Sequence, residues 1–312
     1  MNCIKFDLRE ALELYPTDFG YYSSYLSAHS EKVQKDTKHD MTICIAAICG
    51  RGSSLIMASD TMITSEVLSI QFEHTTRKMT QLSDACVALT AGDALAHTEL
   101  FNLVNDEITK LRTPSIFDIV PRIKECYQEI RKREMCERIL IPKGFSGFQE
   151  FYKVQTHLLP DIAMSIQHEI DRYDYGLEVL IGGIKDGIAH IYGIFDPGTS
   201  ECFDAIGFHA IGSGLPHAIN TLIAREHHSG ISLEETLSMV YEAKKVAEKA
   251  PGVRRDITDI CILDADGLAF SPRGKVKDLE KAHQKWFHKE ADWKSNIEGL
   301  LENRKEWTNA TS

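Results

Sequence analysis

The sequence predicts an α+β fold in which antiparallel sheets are covered by layers of helices. Apolar runs of strand-forming residues come in neighbouring pairs joined by short turns, as in β-hairpins. Runs of strands and runs of helices also follow one another in blocks, whereas a parallel βαβ protein would alternate them singly. The chain has 312 residues, enough to bury a sizeable core without disulfides or metals.

The strand pattern begins with residues 42–49, a nearly continuous apolar run rich in strand formers. The turn at 50–53 and the apolar run at 54–59 complete a hairpin that is buried on at least one face. Further segments share this strand character: 71–79, 85–89, 177–184, 188–194, 202–211, 257–263 and 268–270. Lys185-Asp186-Gly187 between two of them is a strong hairpin signal.

Apolar residues spaced three to four apart predict helices in the remaining segments. These helices are expected over 92–111, 115–138, 147–172, 214–224 and 232–249. Ser232 and Glu235 have the spacing of a capping box at the start of the last one. Three regions follow from these patterns: an N-terminal extension or propeptide at 1–41, a single domain at 42–270 and a charged helical tail at 271–312.

The composition excludes several classes of function. A net charge of −11 disfavours binding to nucleic acid or to an anionic membrane. No run of 18 apolar residues is present to span a bilayer, and the first 20 residues do not read as a secretory signal. The eight cysteines are scattered without zinc-site spacing, which indicates reduced thiols in a cytoplasmic protein. We therefore expect no cofactor and no metal.

The common catalytic motifs are absent from the sequence. It contains no phosphate-binding GxxxxGK[ST], no GxGxxG after a strand, no HExxH and no GxSxG. The adjacent pair His227-His228 lies near a helix end, where neighbouring side chains face different ways, so it does not predict a metal site.

A set of five short motifs remains, spread along the predicted domain. These are Met41-Thr42-Ile43-Cys44, Ser59-Asp60, Arg77-Lys78-Met79, Gly212-Ser213-Gly214 and the strand Asp259-Ile260-Cys261-Ile262. Each is weak alone, but their joint order and spacing resemble the proteasome family of N-terminal nucleophile hydrolases. The likeness covers about residues 41–270 and includes proteasome β subunits, the bacterial ATP-dependent protease core and the bacterial Anbu proteins. It implies a four-layer αββα sandwich of two antiparallel sheets.

The resemblance also implies a mechanism. A threonine hydroxyl needs a base, and the free α-amino group of an N-terminal threonine, with a pKa near ~8, can accept its proton. Thr42, Lys78 and Asp60 match the family's nucleophile, its lysine and the aspartate that orients that lysine. Ser213 matches the serine that hydrogen-bonds near the amine, and Asp256 or Asp259 matches the supporting acid. Gly92 matches the glycine whose N–H serves as oxyanion donor.

Each of these residues also fits a purely structural role. Thr42 suits a strand, Asp60 and Lys78 suit a structural ion pair, and Gly92 and the Gly-Ser-Gly segment suit turns. Four features differ from the family pattern, and two of them lie at the start of the domain. Met41 stands where processed members have glycine, and the 18 residues from Thr42 to Asp60 are about two more than the family leads us to expect. A longer turn at 50–53 would absorb the difference without moving the strand ends.

The sequence therefore predicts an N-terminal threonine hydrolase that cleaves peptide bonds. Two other hypotheses stay open: a catalytically silent proteasome-like subunit with an assembly role, and an amidase acting on a small molecule. The partners implied by the resemblance are further copies of the chain in a homo-oligomer or ring, an ATPase unfoldase, and a peptide or protein substrate. Neither nucleic acid nor membrane is an expected partner.

Overall fold

A computed structural model describes residues 42–65, 70–73, 78–249, 258–271, 276–281 and 283. The predicted extension at 1–41, most of the predicted tail and Asp256 lie outside the described residues.

Two five-stranded antiparallel sheets form the centre of the molecule. The strands of sheet 1 are β1 Cys44–Cys49, β2 Ser54–Ser59, β10 Phe208–Ile211, β11 Asp259–Asp264 and β12 Gly267–Phe270. Those of sheet 2 are β5 Met79–Ser83, β6 Cys86–Gly92, β7 Leu177–Lys185, β8 Ile188–Phe195 and β9 Thr199–Cys202. Sheet 1 has the strand order β10-β1-β2-β11-β12 and sheet 2 the order β5-β6-β7-β8-β9.

Six α-helices with both ends in the described residues accompany the sheets. They are α1 Ala94–Ile108, α2 Ile116–Met135, α3 Phe148–Val154, α4 Pro160–Asp171, α5 Leu215–Ala224 and α6 Leu233–Ala247. A π-helical turn, Cys136–Leu140, continues α2. Short 3-10 helices lie at Gly50–Gly52, Ile141–Lys143 and Gln155–His157.

Three apolar layers hold the two sheets together with α1, α2, α5 and α6, which confirms the predicted αββα sandwich. The side chains of one face of sheet 1 pack against α5 and α6, and those of one face of sheet 2 pack against α1 and α2. The other faces of the two sheets pack against each other. Ile45 of β1 contacts the helix layer while Cys44 and Ala46 enter the layer between the sheets, so this strand is apolar at consecutive positions because both of its faces are buried.

The first hairpin agrees with its prediction and explains how the site residues are spaced. β1 and β2 pair without a register shift from Cys44 opposite Ser59 to Cys49 opposite Ser54. The connection at 50–53 takes positive φ angles at Gly50, Arg51 and Gly52. The turn lies at the end of the hairpin away from Thr42 and Asp60, so a longer turn there leaves the strand ends opposite each other.

Three parts of the chain differ from the sequence expectation. The single run predicted over 202–211 is two strands in different sheets, because the chain crosses from β9 in sheet 2 to β10 in sheet 1. The helix predicted over 147–172 is two helices, α3 and α4, and Pro160 begins the second, where proline needs no N–H donor. A two-stranded sheet of β3 Met62–Ser65 and β4 Ile70–Glu73 was not predicted as a pair.

Across the described part of the chain, none of the helices combines the length and the apolar character needed to cross a bilayer.

Candidate active site

Four strand ends of the two sheets meet at one edge of the sandwich and bring the predicted site residues into one region. Thr42 lies just before β1, Asp60 directly follows β2, and Lys78 directly precedes β5. The Gly-Ser-Gly turn follows β10. Because antiparallel neighbours run in opposite directions, the start of β1 lies beside the end of β2 and the end of β10.

The side chain of Lys78 joins Thr42 to Asp60. Its Nζ donates a hydrogen bond of 2.7 Å to Thr42 Oγ1 and lies 2.8 Å from Asp60 Oδ1. The lysine is 9% exposed and the aspartate is fully buried. Asp60 Oδ1 also accepts a hydrogen bond from the Ile43 N–H at 3.3 Å, which ties the carboxylate to the strand that begins with Thr42. In a buried site such charges require partners, and here each charge has one.

The turn at 212–214 wraps around the backbone of Thr42. The Gly214 N–H donates to the Thr42 carbonyl oxygen at 3.2 Å. Gly212 has φ +89°, and a Cβ at this position would lie 2.4 Å from the same oxygen and 3.3 Å from the Cβ of Ala91. Glycine is therefore required here, since a side chain would displace either Thr42 or the end of β6.

Gly92 ends β6 next to Ala91, and its backbone also excludes a side chain. Its φ is +126°, and a Cβ there would lie 2.1 Å from the carbonyl oxygen of Gly176. The adjacent Asp93 caps α1 by accepting a hydrogen bond from the Leu95 N–H at 2.6 Å. The predicted oxyanion glycine thus lies where β6 turns into α1. The preceding residue, Ala91, is the one whose Cβ faces Gly212.

Of the remaining predicted residues, Ser213 and Asp259 lie in the described part of the chain and Asp256 does not. Ser213 lies within the wrapping turn, and its buried hydroxyl makes no hydrogen bond with any described residue. Asp259 begins β11 opposite Ser59 and is 2% exposed, so it is next to the strand end that carries Asp60. Asp256 lies outside the described residues, and the choice between the two acids stays open.

Sequence reasoning missed Glu178, the second residue of β7. Its Oε2 accepts a hydrogen bond of 2.8 Å from the Gly212 N–H and so links sheet 2 to the turn after β10. Glu178 is the one charged residue in the predicted apolar strand 177–184, and that isolated charge was the signal available in the sequence.

The electrostatic environment of the site extends to neighbouring groups. Burial raises the pKa of the Cys44 thiol, Lys78 opposes that rise, and Asp60 and Glu178 add to it. Burial lowers the pKa of His97, and the Lys78 ammonium lowers it further. The His97 Nδ1 lies 2.7 Å from Thr90 Oγ1 on β6. Cys44 is therefore an inert thiol, and His97 is a neutral imidazole at neutral pH.

A second buried lysine lies on the helix that covers sheet 1. Lys244 of α6 is fully buried and pairs with Glu248, one turn further along. Burial lowers the pKa of Lys244, while Glu248 and, more weakly, Asp60 raise it. The helix residue between them, Ala247, approaches Gly214 so closely that a Cβ at Gly214 would lie 3.1 Å from its own Cβ. The end of α6 thus packs directly behind the turn that wraps Thr42.

The described residues do not bring together three or more histidine, cysteine or acidic side chains that could hold a metal ion. A cleft of about 790 Å³ lies elsewhere, between the π-helical turn and α4, and contains none of the predicted site residues. Its lining includes Ile139, Met164, His168, Arg172 and Tyr173.

Two packed antiparallel sheets between helix layers define a proteasome-like sandwich, the fold of the N-terminal nucleophile hydrolases. Among solved structures, the chain is similar to an Anbu mutant from Hyphomicrobium sp. strain MC1, with a TM-score of 0.55 and 15% sequence identity. The match covers 81% of this chain and 96% of the Anbu chain. No family model matches the sequence, and no curated protein matches it significantly. The resemblance to a proteasome-like fold is confirmed at the level of structure.

Proposed function

We propose that this protein is an N-terminal threonine hydrolase that cleaves peptide bonds. The observation that carries the proposal is the contact of Lys78 Nζ with both Thr42 Oγ1, at 2.7 Å, and Asp60 Oδ1, at 2.8 Å. An ammonium against a hydroxyl stabilises the developing alkoxide and lowers the hydroxyl pKa. The buried aspartate pairs with that ammonium and orients it.

The reaction requires that Thr42 become the first residue of the chain. Its α-amine then takes the proton of its own hydroxyl as Oγ1 attacks the substrate carbonyl carbon. The tetrahedral intermediate places its negative oxygen against a backbone N–H, the role proposed for Gly92, and such a donor contributes about 3 kcal/mol. The carbon–nitrogen bond breaks, the leaving amine takes the proton, and an ester to Thr42 remains. Water then attacks the ester carbonyl carbon and its oxygen becomes part of the released acid, while its proton returns through the amine to Oγ1.

Ser213 and one acid complete the proposed site. The Ser213 hydroxyl is buried in the turn that holds the Thr42 carbonyl, and we expect it to hydrogen-bond with the amine once that amine is free. Asp259 lies beside Ser59 at the same strand end, and Asp256 remains the second candidate for the supporting acid.

The proposal extends to assembly. We expect a homo-oligomer or ring, with an ATPase unfoldase as a further partner and a peptide or protein as substrate, in the cytoplasm. The resemblance of the motifs supports these expectations, and light scattering on the purified protein tests the first of them. A monomer that hydrolyses small amides and cuts no peptide would favour the small-molecule amidase.

Processing and covalent labelling together test the catalytic proposal. Protein made from the full gene is analysed by intact mass and treated with a peptide epoxyketone, which requires both a hydroxyl and a free amine on one residue. We expect a mass that begins at Thr42 and one equivalent of label. Thr42→Ala should abolish labelling, and the matched Thr42→Ser variant should retain it because serine keeps both groups.

Two results would contradict the proposal. A chain that keeps residues 1–41 and takes no label indicates the silent, assembly-type subunit. Labelling that persists in Thr42→Ala shows that another residue is the nucleophile.

A further inference from the structure

We propose that Glu178 is a positioning residue of this site, which holds the 212–214 turn around Thr42 from the opposite sheet and supplies a negative charge that acts on the Thr42 amine. The second part of this inference rests on the proposed function. The first part concerns the structure of the turn and stands independently of catalysis.

The strand geometry directs Glu178 toward the site. Its neighbours Leu177 and Val179 pack between sheet 2 and the helices α1 and α2. Side chains alternate along a strand, so Glu178 faces the layer between the sheets, as does Leu180. Glu178 lies opposite Ala91 in the β6–β7 register, next to Gly92, and is therefore at the site end of that layer.

The hydrogen bond from Gly212 explains how Glu178 acts on Thr42. The bond of 2.8 Å fixes the first residue of the turn. The same residue approaches the Thr42 carbonyl so closely that no side chain fits between them. Gly214, two positions later, donates to that carbonyl at 3.2 Å. Thr42 is thus held by a turn whose start is attached to sheet 2.

The hydrogen bond to Gly212 does not by itself explain why residue 178 carries a negative charge. Glu178 is half-buried, and a glutamine would accept the same hydrogen bond through its amide oxygen. The influence of Glu178 reaches the centre of the site, because it helps to raise the pKa of the Cys44 thiol together with burial and Asp60. A carboxylate near the Thr42 amine favours its protonated form, whereas the Lys78 ammonium favours the neutral form. Glu178 therefore offsets part of the effect of Lys78 on the base.

Other described titratable groups lie on or next to the elements around this region. They are Cys44 on β1, Asp60 after β2, Lys78 before β5, His97 on α1, Asp259 on β11 and Lys244 on α6. A glutamine variant leaves all of them in place, so a change in the pH profile reports the charge of Glu178 itself.

The test compares two variants, made from the full gene, with wild type. In Glu178→Gln we expect the acid limb of the epoxyketone labelling rate to move to lower pH by about half a unit or more, since removal of a negative charge lowers the pKa of the amine. The maximal rate should stay within about threefold of wild type. Glu178→Ala also loses the hydrogen bond, and labelling should slow by about tenfold or more at every pH.

Amide hydrogen exchange gives a readout that does not depend on activity. The peptide that spans 208–215 should exchange faster in Glu178→Ala than in wild type and stay protected in Glu178→Gln. Glu201→Gln, on the exposed edge strand β9, is the matched control and should change neither the labelling profile nor the exchange.

Each outcome decides one part of the inference. A Glu178→Gln profile that overlays wild type overturns the role of the charge. Unchanged exchange in Glu178→Ala overturns the role in positioning the turn. Wild-type protein that takes no label refutes the proposed function, and the charge role with it, while hydrogen exchange still decides whether Glu178 holds the turn.

Discussion

The ammonium of Lys78 donates a hydrogen bond of 2.7 Å to the hydroxyl of Thr42, 36 positions earlier in the chain. Lys78 precedes a strand of sheet 2, Thr42 precedes a strand of sheet 1, and both are almost completely buried. The contact therefore depends on how the two sheets pack, and the hydroxyl has a cation beside it before any substrate arrives. Pre-arranged charge of this kind is what a weak nucleophile requires.

Replacement of Lys78 should reduce both stability and labelling. Lys78→Ala removes the cation 2.8 Å from the fully buried Asp60, so we expect the free energy of unfolding to fall by about 3–5 kcal/mol. Lys78→Arg keeps the charge but not the compact geometry, so it should be less destabilising and still lose most of the epoxyketone labelling. Urea unfolding and the labelling rate measure the two effects.

The exposed pair of Lys110 and Glu107 is the control for the buried pair. The Lys110 side chain is 64% exposed and that of Glu107 is 39% exposed, so Lys110→Ala should change the free energy of unfolding by less than about 1 kcal/mol. Equal destabilisation by Lys78→Ala and Lys110→Ala would show that burial of the Lys78–Asp60 pair contributes nothing.

Substitution of Gly92 by alanine should lower the free energy of unfolding by more than the small size of the added methyl group suggests. Gly92→Ala combines a strained φ of +126° with a Cβ placed 2.1 Å from the Gly176 carbonyl oxygen. Backbone strain of this kind amounts to about 1–3 kcal/mol, and the steric clash adds to it. Gly144→Ala is the matched control, since Gly144 also has a positive φ, +89°, but open space at the Cβ position. A free energy of unfolding as high in Gly92→Ala as in Gly144→Ala would contradict the close approach of β6 to Gly176.

Stability should fall in mild acid because of His227. Burial lowers the pKa of this side chain to about 4, and its two ring nitrogens make no hydrogen bond with any described residue. The unfolded chain takes up the proton near its ordinary pKa of about 6.5, so protonation favours the unfolded state between about pH 6.5 and 4. One such group removes up to about 3 kcal/mol by pH 4.

The measurement for His227 is urea unfolding between pH 7 and pH 4. His227→Leu should show a flatter dependence on pH over this window, while His157→Gln, at an exposed position, should follow wild type. A variant with the same slope as wild type would assign the acid sensitivity to other groups. His209 is one such group, because burial also lowers its pKa to about 4.

Local patterns predicted the elements whose signals lie within a short stretch of chain. The β1–β2 hairpin and the β7–β8 hairpin were expected within two residues of their observed bounds, because their strands are apolar and their turns contain glycine. The pattern failed at 202–211, where a continuous strand-like run crosses from one sheet to the other. Membership of a sheet depends on partners far away in sequence, which local periodicity does not contain.

The candidate site, like the fold, was predicted from the sequence only in part. The order of the five motifs indicated Thr42, Asp60 and Lys78 as one group, and the structure brings these three within hydrogen-bond distance. Glu178 was missed, since a lone charge in a strand is visible in the sequence but its partner is not. Its contact with Gly212 forms between the two sheets and exists only once they pack.

The sequence alone indicates an α+β chain with apolar, antiparallel strands and helix layers. It also indicates a threonine, an aspartate and a lysine in the order typical of the proteasome family. The sandwich itself decided which strand ends meet, that a second carboxylate holds the turn around Thr42, and that Lys78 touches the Thr42 hydroxyl. The physical reason is range: strand and helix propensities act over a few residues, whereas contacts between two sheets depend on the apolar layer that forms when the whole domain folds.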